Sequence, residues 1–112
     1  MHSSQINYQA VIEQLLTQYI EFLGNSENTQ LEQIIDPENQ RYLLVEVGWE
    51  NGYRIYGTLI HIDIIDNKMW IQQDGTEEGI ADELVALGIP KHQIVLGFKS
   101  IDRRRLTEFA VN

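Results

Sequence analysis

A chain of 112 residues with 43% hydrophobic content holds enough apolar material for one core and is too short for two ordinary domains, so a single domain over residues 1–112 is expected. The absence of cysteine excludes disulfides, thiolate metal sites and thiol catalysis. A formal charge of −9, from 17 acidic and 8 basic residues, repels phosphate backbones and argues against sequence-independent DNA binding.

The opening MHSSQINYQA lacks a basic stretch followed by an apolar one, and no segment reaches the roughly 18 apolar residues of a membrane span. A soluble, cytoplasmic protein is expected. From about Gln5 to Leu23, Tyr8, Val11, Ile12, Leu15, Leu16, Tyr19, Phe22 and Leu23 recur at three- and four-residue steps, with Gln9, Glu13, Gln14, Gln18 and Glu21 opposite. This spacing predicts an amphipathic helix, capped by Ser3 or Ser4 and ended at Gly24.

Asp36-Pro37-Glu38-Asn39 has turn chemistry and is flanked by apolar runs of strand length. Asn51-Gly52 supplies the positive φ angles of a type I′ hairpin. With those two residues as the loop, Glu50 faces Tyr53, Val47 faces Tyr56, Val45 faces Thr58 and Leu43 faces Ile60, which makes one face mostly apolar. The other face opposes Glu46 to Gly57, Leu44 to Leu59 and Tyr42 to His61. Asp66-Asn67 predicts a second tight turn, with Ile64 opposite Met69 and Ile62 opposite Ile71.

In DGTEEGIADELVALGIP, Ile80, Leu84 and Leu87 share a helical face, and Gly88 before Ile89-Pro90 is a stop. The acids there have structural roles available: Asp74 or Thr76 as a cap, Glu77 and Glu78 in the first turn, Asp82 and Glu83 in water. The expected class is α+β, an antiparallel sheet of about four or more strands with two amphipathic helices on one face. Residues 94–112 add a strand at Ile94 to Phe98 and a further strand or short helix. Self-association through an exposed sheet edge is compatible with this pattern.

Sites of chemistry are few. His61 and Asp63 share a strand face and, with Asp66 or Asp74, form the best metal candidate, but there is no H-E-x-x-H and DGTEEG lacks the alternating ligands of a calcium loop. Ser100 has no histidine near it in sequence, and His2, His61 and His92 are scattered. His61 reads as a partly buried strand residue and His92 as a surface one. No spaced-glycine phosphate loop occurs. Trp49, Tyr53, Tyr56 and Trp70 are the aromatics available for stacking on nucleic acid, and the register gives several of them a core or rim role. No catalytic, cofactor or metal residue is assigned, and no enzyme activity is expected.

Charge is unevenly spread. Residues 1–90 hold three basic groups, Arg41, Arg54 and Lys68, against fifteen acids, a net of −12, whereas residues 91–112 hold five against two, a net of +3. Arg103-Arg104-Arg105 is the one basic cluster. It can meet phosphate, a partner's carboxylates or the protein's own acidic body. An acidic body with a small basic end suits a protein partner better than DNA.

VGWENGYRIYG, then HIDIIDNKMWIQQDGTEEGIADELVALGIPKHQIVLGF, and finally LTEFAV closely resemble the XisI family, the fdxN element excision controlling factors of cyanobacteria. The resemblance implies an accessory role in programmed excision of a DNA element during heterocyst differentiation, beside a site-specific recombinase and a companion, XisH. It carries over no catalytic residue. Without a recognisable DNA-reading motif in this acidic chain, action through a protein partner is the expected mechanism. A narrower version is an inhibitor or immunity-like partner of a companion nuclease. The alternative from another class is a small metal-dependent enzyme using His61 and Asp63.

Overall fold

A computed structural model describes residues 6–24 and 28–112. Helix α1 spans Tyr8–Leu23, and its start is capped by Asn7, whose side chain accepts the Ala10 N–H at 3.0 Å. The predicted caps, Ser3 and Ser4, lie outside the described residues. Gly24 ends the helix at φ 65°, donating its N–H to Ile20.

Strands β1 (Thr29–Asp36), β2 (Arg41–Glu50), β3 (Tyr53–Ile65) and β4 (Lys68–Asp74) then run as a meander. Asp36 holds the first turn by accepting from the Asn39 backbone at 3.1 Å and its amide at 2.9 Å. Both later turns have positive φ at their two central residues, Asn51 and Gly52, then Asp66 and Asn67, as type I′ geometry requires. Helix α2 (Ile80–Ala86), a 3-10 turn (Lys91–Gln93), β5 (Ile94–Leu96) and helix α3 (Ile101–Arg104) complete the chain.

The five strands lie in sequence order, and the sheet is mixed rather than wholly antiparallel because β5 pairs parallel to β4. A parallel partner needs a crossover, which α2 supplies over one face. The expected strand near Ile94 stops at Leu96. Beyond it come α3 and a bridge from Ala110 back to Val95, which covers that sheet edge.

The predicted register holds from Glu50/Tyr53 to Val45/Thr58 and then slips at a bulge. Leu44, not Leu43, faces Ile60, and Tyr42 faces Ile62, leaving Leu59 as the extra residue on β3. Because side chains alternate with period two, one extra residue swaps the faces. Tyr42, Leu44, Ile60 and Ile62 therefore make the core face, in place of the predicted set built on Leu43, Val45 and Val47. A second slip, between His61/Gln73 and Ile62/Ile71, leaves Gln72 extra on β4. It turns Asp74, opposite Ile60, toward the helices.

The core joins that face with Met69, Ile71, Ile94 and Leu96, with Ile12, Leu15, Leu16 and Tyr19 of α1, and with Ile80 and Leu84 of α2. Burying such side chains contributes roughly 1.5–3 kcal/mol each before the entropy of ordering is set against it. The far half of the β2–β3 hairpin extends beyond this core. Extents of 52 × 36 × 25 Å and a radius of gyration of 15.0 Å exceed the roughly 13 Å of a compact domain of this length. Trp49, Tyr53 and Tyr56 are all exposed on this arm, although the register predicts a core or rim role for several of the four aromatics Trp49, Tyr53, Tyr56 and Trp70. No helix among the described residues is long and apolar enough to cross a membrane.

Candidate functional site

Beside the β3 bulge lies a cleft of about 580 Å³ between the end of α1, the segment after β4, and α2. Its apolar wall is Tyr19, Phe22 and Leu23 from α1, Leu59 from the β3 bulge, Ala86 from α2 and Leu87 just after it. Phe22 is 80% exposed, although it continues the apolar periodicity of its helix. Gly75 closes the floor by donating its N–H to Leu59 at 2.7 Å; a Cβ on Gly75 would sit 3.2 Å from the Leu59 side chain and 3.3 Å from its carbonyl oxygen. The rim is acidic. Glu77, Glu78 and Glu83 line it, and among the described residues no Lys, Arg or His does.

Asp74 organises that rim. One carboxylate oxygen accepts the Thr76 N–H at 3.0 Å and its hydroxyl at 2.6 Å, while the other accepts the Ile80 N–H at 2.9 Å. The Thr76 hydroxyl in turn accepts the Gly79 N–H at 3.1 Å. The predicted capping role thus falls to both residues, acting from outside the helix because Gly79 at its boundary has no side chain. Glu77 and Glu78 precede α2 instead of forming its first turn, which carries Asp82 and Glu83. Asp82 is exposed as expected, but Glu83 is half-buried and accepts the Tyr19 hydroxyl at 3.0 Å. Burial raises the Tyr19 phenol above its ordinary range; a hydrogen bond with Thr76 offsets part of this, and the Glu83 and Asp74 carboxylates add to it. Neutral Tyr19 is therefore a fixed donor.

A sequence model of the family described as XisI protein matches residues 1–111. The chain belongs to the XisI family. Among solved structures it is similar to a XisI-like protein from Anabaena variabilis ATCC 29413, at 37% identity over 94% of this chain and 96% of that one, with a TM-score of 0.87. It is also similar to the fdxN element excision controlling factor XisI from the same organism, at 31% identity over 94% and 96%, with a TM-score of 0.80. No curated protein matches.

The remaining candidates of this XisI-family chain are dispersed. His61 Nε2 lies 2.8 Å from Asp63 Oδ1, but the other Asp63 oxygen accepts the Gln72 amide at 3.3 Å, Asp66 sits in the distal turn and Asp74 is committed to the rim. Among the described residues, no three His, Asp or Glu side chains gather as metal ligands. His61 is half-buried and His92 exposed, as read from the sequence. Ser100 starts α3 by accepting the Arg103 N–H at 3.4 Å.

The arginine cluster divides by role. Arg104 is a structural clamp: its Nε donates to Lys99 at 2.9 Å and Leu96 at 3.2 Å, one terminal nitrogen donates to Val111 at 3.1 Å, and the guanidinium stacks 5.1 Å from the Trp70 ring centroid. Arg103 and Arg105 are exposed, and Arg105 makes a 3.6 Å contact with Asp102.

Sequence reasoning placed Tyr19 and Phe22 on an ordinary helical stripe and Leu59 on the mixed face of the hairpin, and missed that they line a cleft. The available signal was local: three consecutive apolar residues, Leu43-Leu44-Val45, mark where the β2 alternation changes phase.

Proposed function

We propose that this XisI-family protein is a non-enzymatic, cytoplasmic accessory factor controlling excision of a DNA element. It acts by docking its acidic body onto a protein partner with a basic surface, a XisH-type companion or the element's site-specific recombinase. The observation that carries this reading is the cleft, an apolar wall rimmed by Glu77, Glu78 and Glu83 with no cation among the described residues of its lining. Such a surface suits an apolar anchor flanked by Lys or Arg, because complementary charge steers encounter and fixes orientation while apolar burial supplies affinity. The name of the 31%-identical relative, an fdxN element excision controlling factor, supports the process.

The test is capture of the companion and the recombinase at low and high salt, with duplex DNA as a parallel bait. Salt-sensitive capture of a protein but not of DNA is expected. Failure to retain either protein at low salt would sink the docking reading, and capture of DNA alone would move the function to Arg103 and Arg105.

The same acids favour a narrower version, in which they occupy the groove that a companion nuclease offers to DNA. Protein and duplex then compete for the companion; simultaneous binding of both counts against it. The metal-dependent alternative receives little support from a lone His61–Asp63 pair whose second carboxylate oxygen is taken by Gln72.

A further inference from the structure

Beyond the partner reading, the chain carries a surface that complements its own cleft. Between Gly97 and Thr107, Phe98, Ile101 and Leu106 are exposed, Leu106 at 87%, among Lys99, Arg103 and Arg105. This is an apolar, cationic knob, lying within residues 91–112, which carry a net charge of +3. The cleft is an apolar, anionic hole, in the part of the chain that carries the net negative charge.

Knob and hole lie on opposite faces of the sheet. The cleft is walled by α1 and α2, which cover the Tyr42/Ile60/Ile62 face. The knob is held against the other face by the Arg104 stack on Trp70, which faces Asp63 across the strands. Its far end is tied to β5 by the Ala110 N–H donating to Ile94 at 2.9 Å. A copy therefore cannot turn its basic segment into its own cleft.

We propose that the cleft of one copy takes the basic C-terminal segment, residues 98–106, of a second copy. Leu106 and Ile101 meet the wall formed by Phe22, Leu23 and Leu87, while Arg103 and Arg105 meet Glu77 and Glu78. Both cation side chains project into solvent, and the Asp102 carboxylate that contacts Arg105 is itself 93% exposed, so re-pairing costs little desolvation. The contact joins unlike surfaces. It therefore propagates head to tail into a ring or an open array, where a self-complementary patch would stop at a dimer. The proposal holds whether or not an outside partner uses the same cleft.

Sedimentation of the full chain over a concentration series, at low and high salt, tests it with two charge-reversal variants. Glu77→Lys/Glu78→Lys reverses the hole, and Arg103→Glu/Arg105→Glu reverses the knob; Arg104 stays untouched because it clamps the fold. The wild type is expected to assemble beyond a dimer as concentration rises at low salt and to dissociate at high salt. Each variant alone is expected to remain monomeric, and an equimolar mixture to recover assembly, because a basic hole then meets an acidic knob and an acidic hole a basic one. Should a reversal variant fail to give a cooperative melt, Leu106→Ser reads the same contact through its apolar half, with assembly weakened at least several-fold. A wild type monomeric throughout at low salt overturns the proposal. So does assembly that survives both reversals, which would place the contact at β1 or the outer sheet face, or a mixture that stays monomeric.

Discussion

The two halves of the β2–β3 hairpin are built from the same kinds of residue and meet opposite fates. Near the helices, Tyr42, Leu44, Ile60 and Ile62 are buried. Toward the Asn51-Gly52 turn, Trp49, Tyr53 and Tyr56 stand in solvent, with Arg54 stacked 5.5 Å from the Trp49 ring and 5.8 Å from the Tyr56 ring. Backbone pairing runs continuously through both halves apart from the bulge. Burial in a sheet is thus decided by what packs on it, not by the strand's hydrophobicity: α1 and α2 cover the near half of one face and stop before the arm.

The sharpest way to break this contrast is Ile62→Ala, which opens a cavity at a fully buried site and is expected to cost about 2–5 kcal/mol in urea unfolding. A loss below about 1 kcal/mol would mean that the near half is not the packed core. Next comes Asp74→Ala. It leaves the Ile80 N–H and the Thr76 backbone without their acceptor, and a loss of about 1–3 kcal/mol is expected, with faster amide exchange at Ile80 than at Ile62.

Alkaline pH probes the tyrosines of the covered side. Burial raises the phenols of Tyr8, Tyr19 and Tyr42 above the ordinary value near 10. Above that value the unfolded chain releases phenolic protons that the folded state retains, so this stability is complete below about pH 10 and falls as pH rises through the folded pKa values. Tyr19→Phe is expected to flatten the fall and, by losing the bond to Glu83, to cost about 1 kcal/mol at neutral pH. An unchanged alkaline slope would show that Tyr19 is not proton-linked to folding. The smallest effect belongs to the arm: Tyr56→Ser, at a residue 72% exposed, is expected to change stability by no more than about 0.5 kcal/mol. A larger loss would mean that the Arg54 stack supports the hairpin.

Local signals were legible because their physics is local. Asn51-Gly52 and Asp66-Asn67 adopt positive φ as their residue types predict, and register holds outward from each turn until a bulge intervenes. The candidate site was legible only in part. The acids after Asp74 and the cap were visible, but not that bulges at Leu59 and Gln72 would bring the wall and the rim together. Similarly, Arg103-Arg104-Arg105 reads as one cluster, yet only Arg104 reaches Leu96, Lys99 and Val111.

The sequence by itself determined the α+β class, the four-strand meander with its turns, the two amphipathic helices and the split between an acidic body and a basic end. Periodicity, turn chemistry and charge act over a few residues and survive in any context. Only the tertiary structure decided which face of the hairpin is core, that β5 closes the sheet in parallel, that Glu83 turns inward to Tyr19, and that Phe22 lines a cleft. Each depends on long-range packing in which a one-residue bulge exchanges the two faces of a strand, so no local pattern specifies it.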